Sequence, residues 1–186
     1  MSGRRCAWMV LMLGMIPAIG PLFAQQVEII DQEYKIKAAY LRNFGLYTQW
    51  PGDLGNAKVF KIGLLGKDPF GGNLEILAKD YKVKGKDIVI ERFNAVNAIK
   101  PCHVLFVCGD QAKNLAQVLK QTQGEPVMVV GDAEEQAASG AAVGFFVDMN
   151  KVKFAINPEV AKAAGLKVNS DLLGAAAKIV KTKPPG

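Results

Sequence analysis

Cys102-His103-Val104-Leu105-Phe106-Val107 carries a single polar side chain, His103, and no formal charge. A strand with one wet face alternates apolar and polar residues, whereas a strand covered on both faces is apolar throughout. This run therefore reads as the buried centre of a largely parallel sheet. Phe60 to Leu65, closed by Gly66, and Val127 to Val130 share its compact character, and Asp87 to Phe93 is rich in Ile and Val. Helical stretches lie between them: Gly72 to Lys79, then Ala112 to Gln121, with Leu115, Val118 and Leu119 on one face and Gly124 at the end. Strands alternating with helices predict an α/β layered sandwich, a mostly parallel sheet with helices on its faces.

Further along, the pattern changes. Val143 to Val147, a tight turn through Met149-Asn150, and Lys151 to Ile156 read as a C-terminal antiparallel hairpin. Its second arm alternates, with Val152, Phe154 and Ile156 inward against Lys151 and Lys153 outward, which makes the sheet mixed. Asn157-Pro158-Glu159 supplies a cap, a proline at the first helical position and an acid at the positive end of the helix dipole. Gly165 stops that helix. Ser170-Asp171 opens the last one, with a stripe of Leu172, Leu173, Ala176, Ile179 and Val180. Towards the front, Asp31 is the expected cap of a first helix bearing Ile36, Ala39, Tyr40, Phe44 and Tyr47, ended by Trp50-Pro51. Most of its aromatic residues, Tyr34 included, read as a core-facing stripe, with Tyr47 and Trp50 expected at the surface.

The first residues have a different logic. Arg4 and Arg5 precede an apolar run from Cys6 to Ile19, and Leu22-Phe23-Ala24 leads into polar Gln25-Gln26. That is the layout of a secretory signal peptide over residues 1–24, cleaved near Ala24, with residues 25–186 as a single exported domain. The apolar run is roughly 14 residues, short of the ~20 a spanning helix needs, although an uncleaved N-terminal anchor is an alternative. Cys6 stands at the front of the apolar run and not just after it, where a lipoprotein needs its cysteine, so a lipoprotein is not expected. Losing Arg4 and Arg5 takes the formal charge from +6 to +4. The remaining basic residues are lysines except for Arg42 and Arg92. Arginine is the usual reader of phosphate and base edges, so nucleic acid is an unexpected partner.

Catalytic groups are scarce. His103 is the only histidine and lies inside a predicted strand, where a structural role is expected. Ser170 reads as a helix cap, and no G-x-S-x-G elbow is present. Adjacent strand residues face opposite ways, which separates Cys102 from His103. Cys102 and Cys108 stand about 20 Å apart if the strand between them is extended, so they do not pair, and both are expected as buried thiols. No ligand set converges for zinc or calcium. Neither an enzyme nor a resident cofactor is expected. Gly66-Lys67-Asp68-Pro69-Phe70-Gly71-Gly72 follows a strand and precedes a helix, where α/β folds bind anions. It lacks the Walker and dinucleotide spacings, so a structural turn is the first reading, and a ligand cradle at Gly66, Asp68, Gly71 and Gly72 the second.

Several segments resemble the YfiR family of periplasmic regulators. They are Lys37-Ala38-Ala39-Tyr40-Leu41, Asn43-Phe44 and Trp50-Pro51, then Ile62-Gly63-Leu64-Leu65-Gly66 and Asp68-Pro69-Phe70-Gly71. Cys102-His103-Val104-Leu105-Phe106, Ile156-Asn157, Ala164-Gly165-Leu166 and Leu172-Leu173 continue the series in order. The resemblance implies a repressor that binds the periplasmic part of an inner-membrane diguanylate cyclase and so limits cyclic-di-GMP. It further implies release through an outer-membrane lipoprotein in some cases, and homodimers. Glu159, Leu166, Leu172 and Leu173 are the residues expected at the partner surface, the leucines having the core as their alternative. The family commonly has a cysteine where Gly63 stands, a disulfide partner for the Cys102 position, and a second pair is also missing here. A periplasmic small-ligand sensor or carrier, motivated by the Gly66–Gly72 loop, is the competing reading.

Overall fold

Residues 20–181 are described in the computed structural model. In chain order the elements are α1 (Gly20–Tyr47), β1 (Thr48–Gln49), α2 (Gly52–Asn56), β2 (Val59–Leu65), α3 (Asn73–Asp80), β3 (Lys82–Val83) and β4 (Lys86–Phe93). There follow β5 (Val104–Val107), α4 (Leu115–Gln121), β6 (Met128–Gly131), α5 (Glu135–Ala138), β7 (Val143–Asp148) and β8 (Lys151–Ile156). The chain closes with α6 (Pro158–Ala163), β9 (Lys167–Val168), α7 (Ser170–Ala175) and β10 (Lys178–Ile179). Single 3-10 segments stand at Val96–Ala98 and Gly109–Asn114.

Eight strands form one sheet in the order β10-β8-β7-β6-β5-β2-β4-β3. Strands β4, β2, β5, β6 and β7 run parallel, and β8 turns back against β7 with Phe145 opposite Phe154. The expected mostly parallel sheet with its late antiparallel hairpin is thus present. All four residues of β5 are fully buried, as a central strand requires. On one face Ile62, Leu64, Val104, Phe106, Val130, Phe145 and Phe154 pack against Leu41 and Phe44 of α1, Leu74 of α3, Ala161 of α6 and Leu172 of α7. On the other, Leu65, Leu105, Val107 and Val129 meet Leu115 and Val118 of α4. Phe44 stacks on Phe145 and meets Phe154 edge-on, with centroids 5.8 and 5.3 Å away. Such ring pairs add about 1 kcal/mol each beyond the buried area.

Four local expectations change. Asp31 is not a cap, because α1 begins eleven residues earlier, at Gly20. Between Pro21, tolerated in a first turn, and Gly45 nothing breaks the helix. Second, the helical part of the Ala112 to Gln121 stretch starts only at Leu115, after a 3-10 turn. Third, the last helix is capped by Asn169, whose side chain accepts from the Asp171 N–H, and Ser170 is its first residue. Fourth, that helix ends at Ala175, and Ile179 leaves the expected stripe to pair with Ile156 of β8. The open edge of β8 offers backbone partners there: the Ala177 and Val180 N–H groups donate to the Phe154 and Ile156 carbonyls. Asn157, by contrast, caps α6 as expected, accepting from the Val160 N–H.

Most of the expected signal peptide, residues 1–19, lies outside the described residues, as does the tail Lys183-Pro184-Pro185-Gly186. Among the described residues no helix is long and apolar enough to cross a membrane.

Candidate functional site

Open α/β sheets bind ligands at the carboxyl ends of their strands, where the strand order reverses. Here that place is the end of β2 and β5, with β6 alongside. Each strand delivers an aspartate just beyond its end: Asp68, Asp110 and Asp132. The chain answers them itself. Asp132 accepts the Tyr34 hydroxyl at 2.7 Å and the Lys37 ammonium at 2.7 Å, and Lys37 also reaches Glu33 at 2.5 Å. Lys37 is only 3% exposed, so this is a buried ion cluster pinning α1 to the end of β6. Burial first, then the hydrogen bond to Asp132, pushes the Tyr34 phenol far above its usual value, and it stays a donor. Asp68 takes the Arg92 guanidinium at 2.9 Å from Nε, and Arg92 also pairs with Glu75.

The Gly66–Gly72 loop sits in this same region. Gly66 has φ +104, and Asp110 and Gln111 press on the space its Cβ would take, so only glycine fits. The Lys67 N–H donates to the Asp110 carboxylate at 3.2 Å, and the Phe70 N–H to Asp68 at 2.8 Å. Gly71 and Gly72 supply the positive φ values of +58 and +92 that lead into α3. An external anion in this loop therefore competes with a carboxylate of the chain.

His103 is committed elsewhere. Its Nδ1 accepts from the Lys61 N–H at 3.0 Å, which requires Nε2 to carry the proton and donate to the Leu54 carbonyl at 2.8 Å. Trp50 Nε1 donates to the His103 carbonyl at 3.1 Å. Both ring nitrogens are thus used in holding the α2 segment to the sheet. Trp50 is half-buried and Tyr47 exposed, so of the two only Tyr47 is a surface residue.

Both cysteines are free and buried. Burial pushes each thiol up to about 12, helped at Cys102 by Glu91 and at Cys108 by Asp110, Asp132 and Asp68. A thiol so seldom ionised is a poor nucleophile. A Cβ placed on Gly63 would stand 3.1 Å from the Cys102 sulfur. Gly63 of β2 thus faces the Cys102 sulfur, which stands two residues ahead of β5.

The expected partner residues divide. Glu159 is exposed in the first turn of α6, and Leu173 is half-buried. Leu166 and Leu172 are 3% and 2% exposed and belong to the main core, where α6 and α7 turn their apolar sides to the sheet. In this conformation those two offer almost nothing to a partner. Sequence reading missed the Lys37–Asp132 pair, although Lys37 falls on the stripe of Leu41 and Phe44, and a lysine there signals a buried counter-charge. It also missed the apolar tip of the hairpin, where Val147 is 50% and Met149 86% exposed. Among the described residues no group of three or more His, Cys, Asp or Glu side chains is placed to hold a metal.

The profile of the YfiR/HmsC-like family matches residues 34–177. No curated protein matches the chain. Among solved structures, the ABC domain in complex with L-Trp from Streptococcus pneumoniae is similar, with a TM-score of 0.51 and 13% identity over 66% of this chain and 55% of that one. The chain thus spans little more than half the length of that structure, and the likeness is one of fold alone.

Proposed function

The chain belongs to the YfiR/HmsC-like family, and from that premise we propose that it is an exported regulatory binding protein. It represses an inner-membrane diguanylate cyclase by binding the cyclase's periplasmic part, and so lowers cyclic-di-GMP and biofilm formation. The family match across residues 34–177 is the observation on which this rests. Two features of the molecule agree with a role in binding rather than catalysis: an imidazole with both nitrogens committed, and thiols pushed up to about 12. Residues 1–24 serve as the signal peptide, and residues 25–186 act as one periplasmic domain. Glu159 and the exposed edge of Leu173 form part of the partner surface. An outer-membrane lipoprotein and a second copy of the chain are further partners in the same scheme.

Position 63 is a glycine and the Cys102 thiol is free, so reduction of a disulfide between these two positions does not serve as the release signal here.

The test is genetic. In a cell that holds the matching cyclase, deleting the gene raises cyclic-di-GMP. The full-length chain restores the low level, and a chain lacking residues 1–24 fails to, because it stays in the wrong compartment. Glu159→Lys reduces repression while the thermal midpoint of the purified protein holds. Unchanged cyclic-di-GMP on deletion overturns the proposal.

A further inference from the structure

Away from the strand ends, a cavity of about 230 Å³ opens between the end of α1, the α2 segment and the β3–β4 hairpin. Its apolar lining includes Trp50, Leu54 and Phe60, and its charged lining is Lys84 and Lys86, with no acidic side chain among the described residues that line it. Neither lysine makes an ion pair among the described residues; each ammonium instead donates to a backbone carbonyl at 2.7 Å, Lys84 to Thr48 and Lys86 to Gly55. Two neighbouring lysines are matched by acids, Lys61 by Glu91 and Lys82 by Asp87.

Three further observations converge on the same wall. The Thr48 side chain is fully buried, and its hydroxyl has no hydrogen-bond partner. Lys84 occupies the left-handed region at φ +50, in a hairpin turn where Asn or Gly is the usual residue, so its placement is held against a local preference. Burial lowers the Lys84 pKa, and the neighbouring charge of Lys86 adds to the effect.

We infer that this cavity binds a small organic phosphate, its dianionic head between Lys84 and Lys86 and its planar or apolar body against Trp50 and Phe60. Two unopposed cations call for two negative charges on one compact group, and an ammonium with free N–H bonds recognises phosphate as a point charge. The apolar floor selects an organic ester over the bare ion. This inference is independent of the cyclase-binding role, and its failure would leave that role standing.

Calorimetric titration of the full-length chain with phenyl phosphate, inorganic phosphate and benzoate tests it. Phenyl phosphate is expected to bind saturably at one site and to change the tryptophan emission, a change lost in Trp50→Phe, with both other probes weaker. Lys84→Met combined with Lys86→Met weakens phenyl phosphate about tenfold or more, whereas Lys82→Met leaves it unchanged. Lys84→Gln, at the exposed turn, gives a smaller loss and keeps the test open if the double variant does not fold. Saturation absent at millimolar phenyl phosphate, benzoate binding as tightly, or equal loss in Lys82→Met overturns the assignment.

Discussion

Lys37 shows how much one side chain decides. Its ammonium is nearly sealed from water between Asp132 and Glu33, with the Tyr34 ring 4.5 Å away. Removing it strands a buried carboxylate, which typically costs about 3 kcal/mol. Lys37→Met is therefore expected to lose about that much in urea unfolding. Adding Asp132→Asn should recover part of the loss, a coupling that independent sites would not show. His103 gives a pH prediction. Burial lowers its pKa, with Lys86 and Lys61 adding to the effect and the Leu54 carbonyl opposing it. The folded value thus lies below the unfolded one of about 6.5. Between the two, the unfolded chain binds a proton that the fold rejects, so stability falls as pH drops below about 6.5 and is retained above it. The single imidazole resonance should titrate below that value in the folded protein; titration above it would refute the buried neutral ring. A structural His103 was legible from its place in an apolar run. The identity of its partners was not, because Lys61 and Leu54 lie some forty to fifty residues away.

At the level of elements, the β2–β5 pair and the β7–β8 hairpin are both open to design. Gly63→Cys is expected to form a disulfide with Cys102, since a Cβ there meets the sulfur at 3.1 Å. Closing a loop of roughly 40 residues stabilises by up to about 4 kcal/mol, reduced here by the Phe93 ring at 2.8 Å from the new atom. Loss of two thiols by alkylation and a higher, reductant-sensitive thermal midpoint check it. In the hairpin, Met149 and Asn150 have φ of 48 and 58. Both therefore sit in the left-handed region, which Asn tolerates better than Met. Met149→Asn should raise stability by about 1 kcal/mol, read from the denaturant midpoint. This hairpin was legible from the Met149-Asn150 turn and the alternation of its second arm. The exchange of helix for strand at Ile179 was not, because the apolar period there fits either state and only the free edge of β8 decides between them.

For the whole molecule, the front of α1 decides how much of the chain the fold needs. It begins at Gly20, and its buried residues among those described start at Lys37 and Ala38. A chain beginning at Gln25 should thus keep the thermal midpoint of the full-length protein, and intact mass after export should place the cut near Ala24. A midpoint lowered by several degrees would mean that the upstream turns of α1 help to hold the fold. The α/β class, the mixed sheet, the strand centres and the cap at Asn157 follow from the chain alone, because apolar periodicity and turn chemistry are local and survive without contacts; the family likeness rests instead on the ordered segments from Lys37 to Leu173. The assembled fold alone settles which charges are matched. It sent Leu166 and Leu172 inward and seated Asp110 against the Gly66 loop. It also brought Lys84 and Lys86 to one cavity with no acid among its described lining residues. Burial and Coulomb pairing depend on distances between residues far apart in the chain, and those distances exist only once the sheet has assembled.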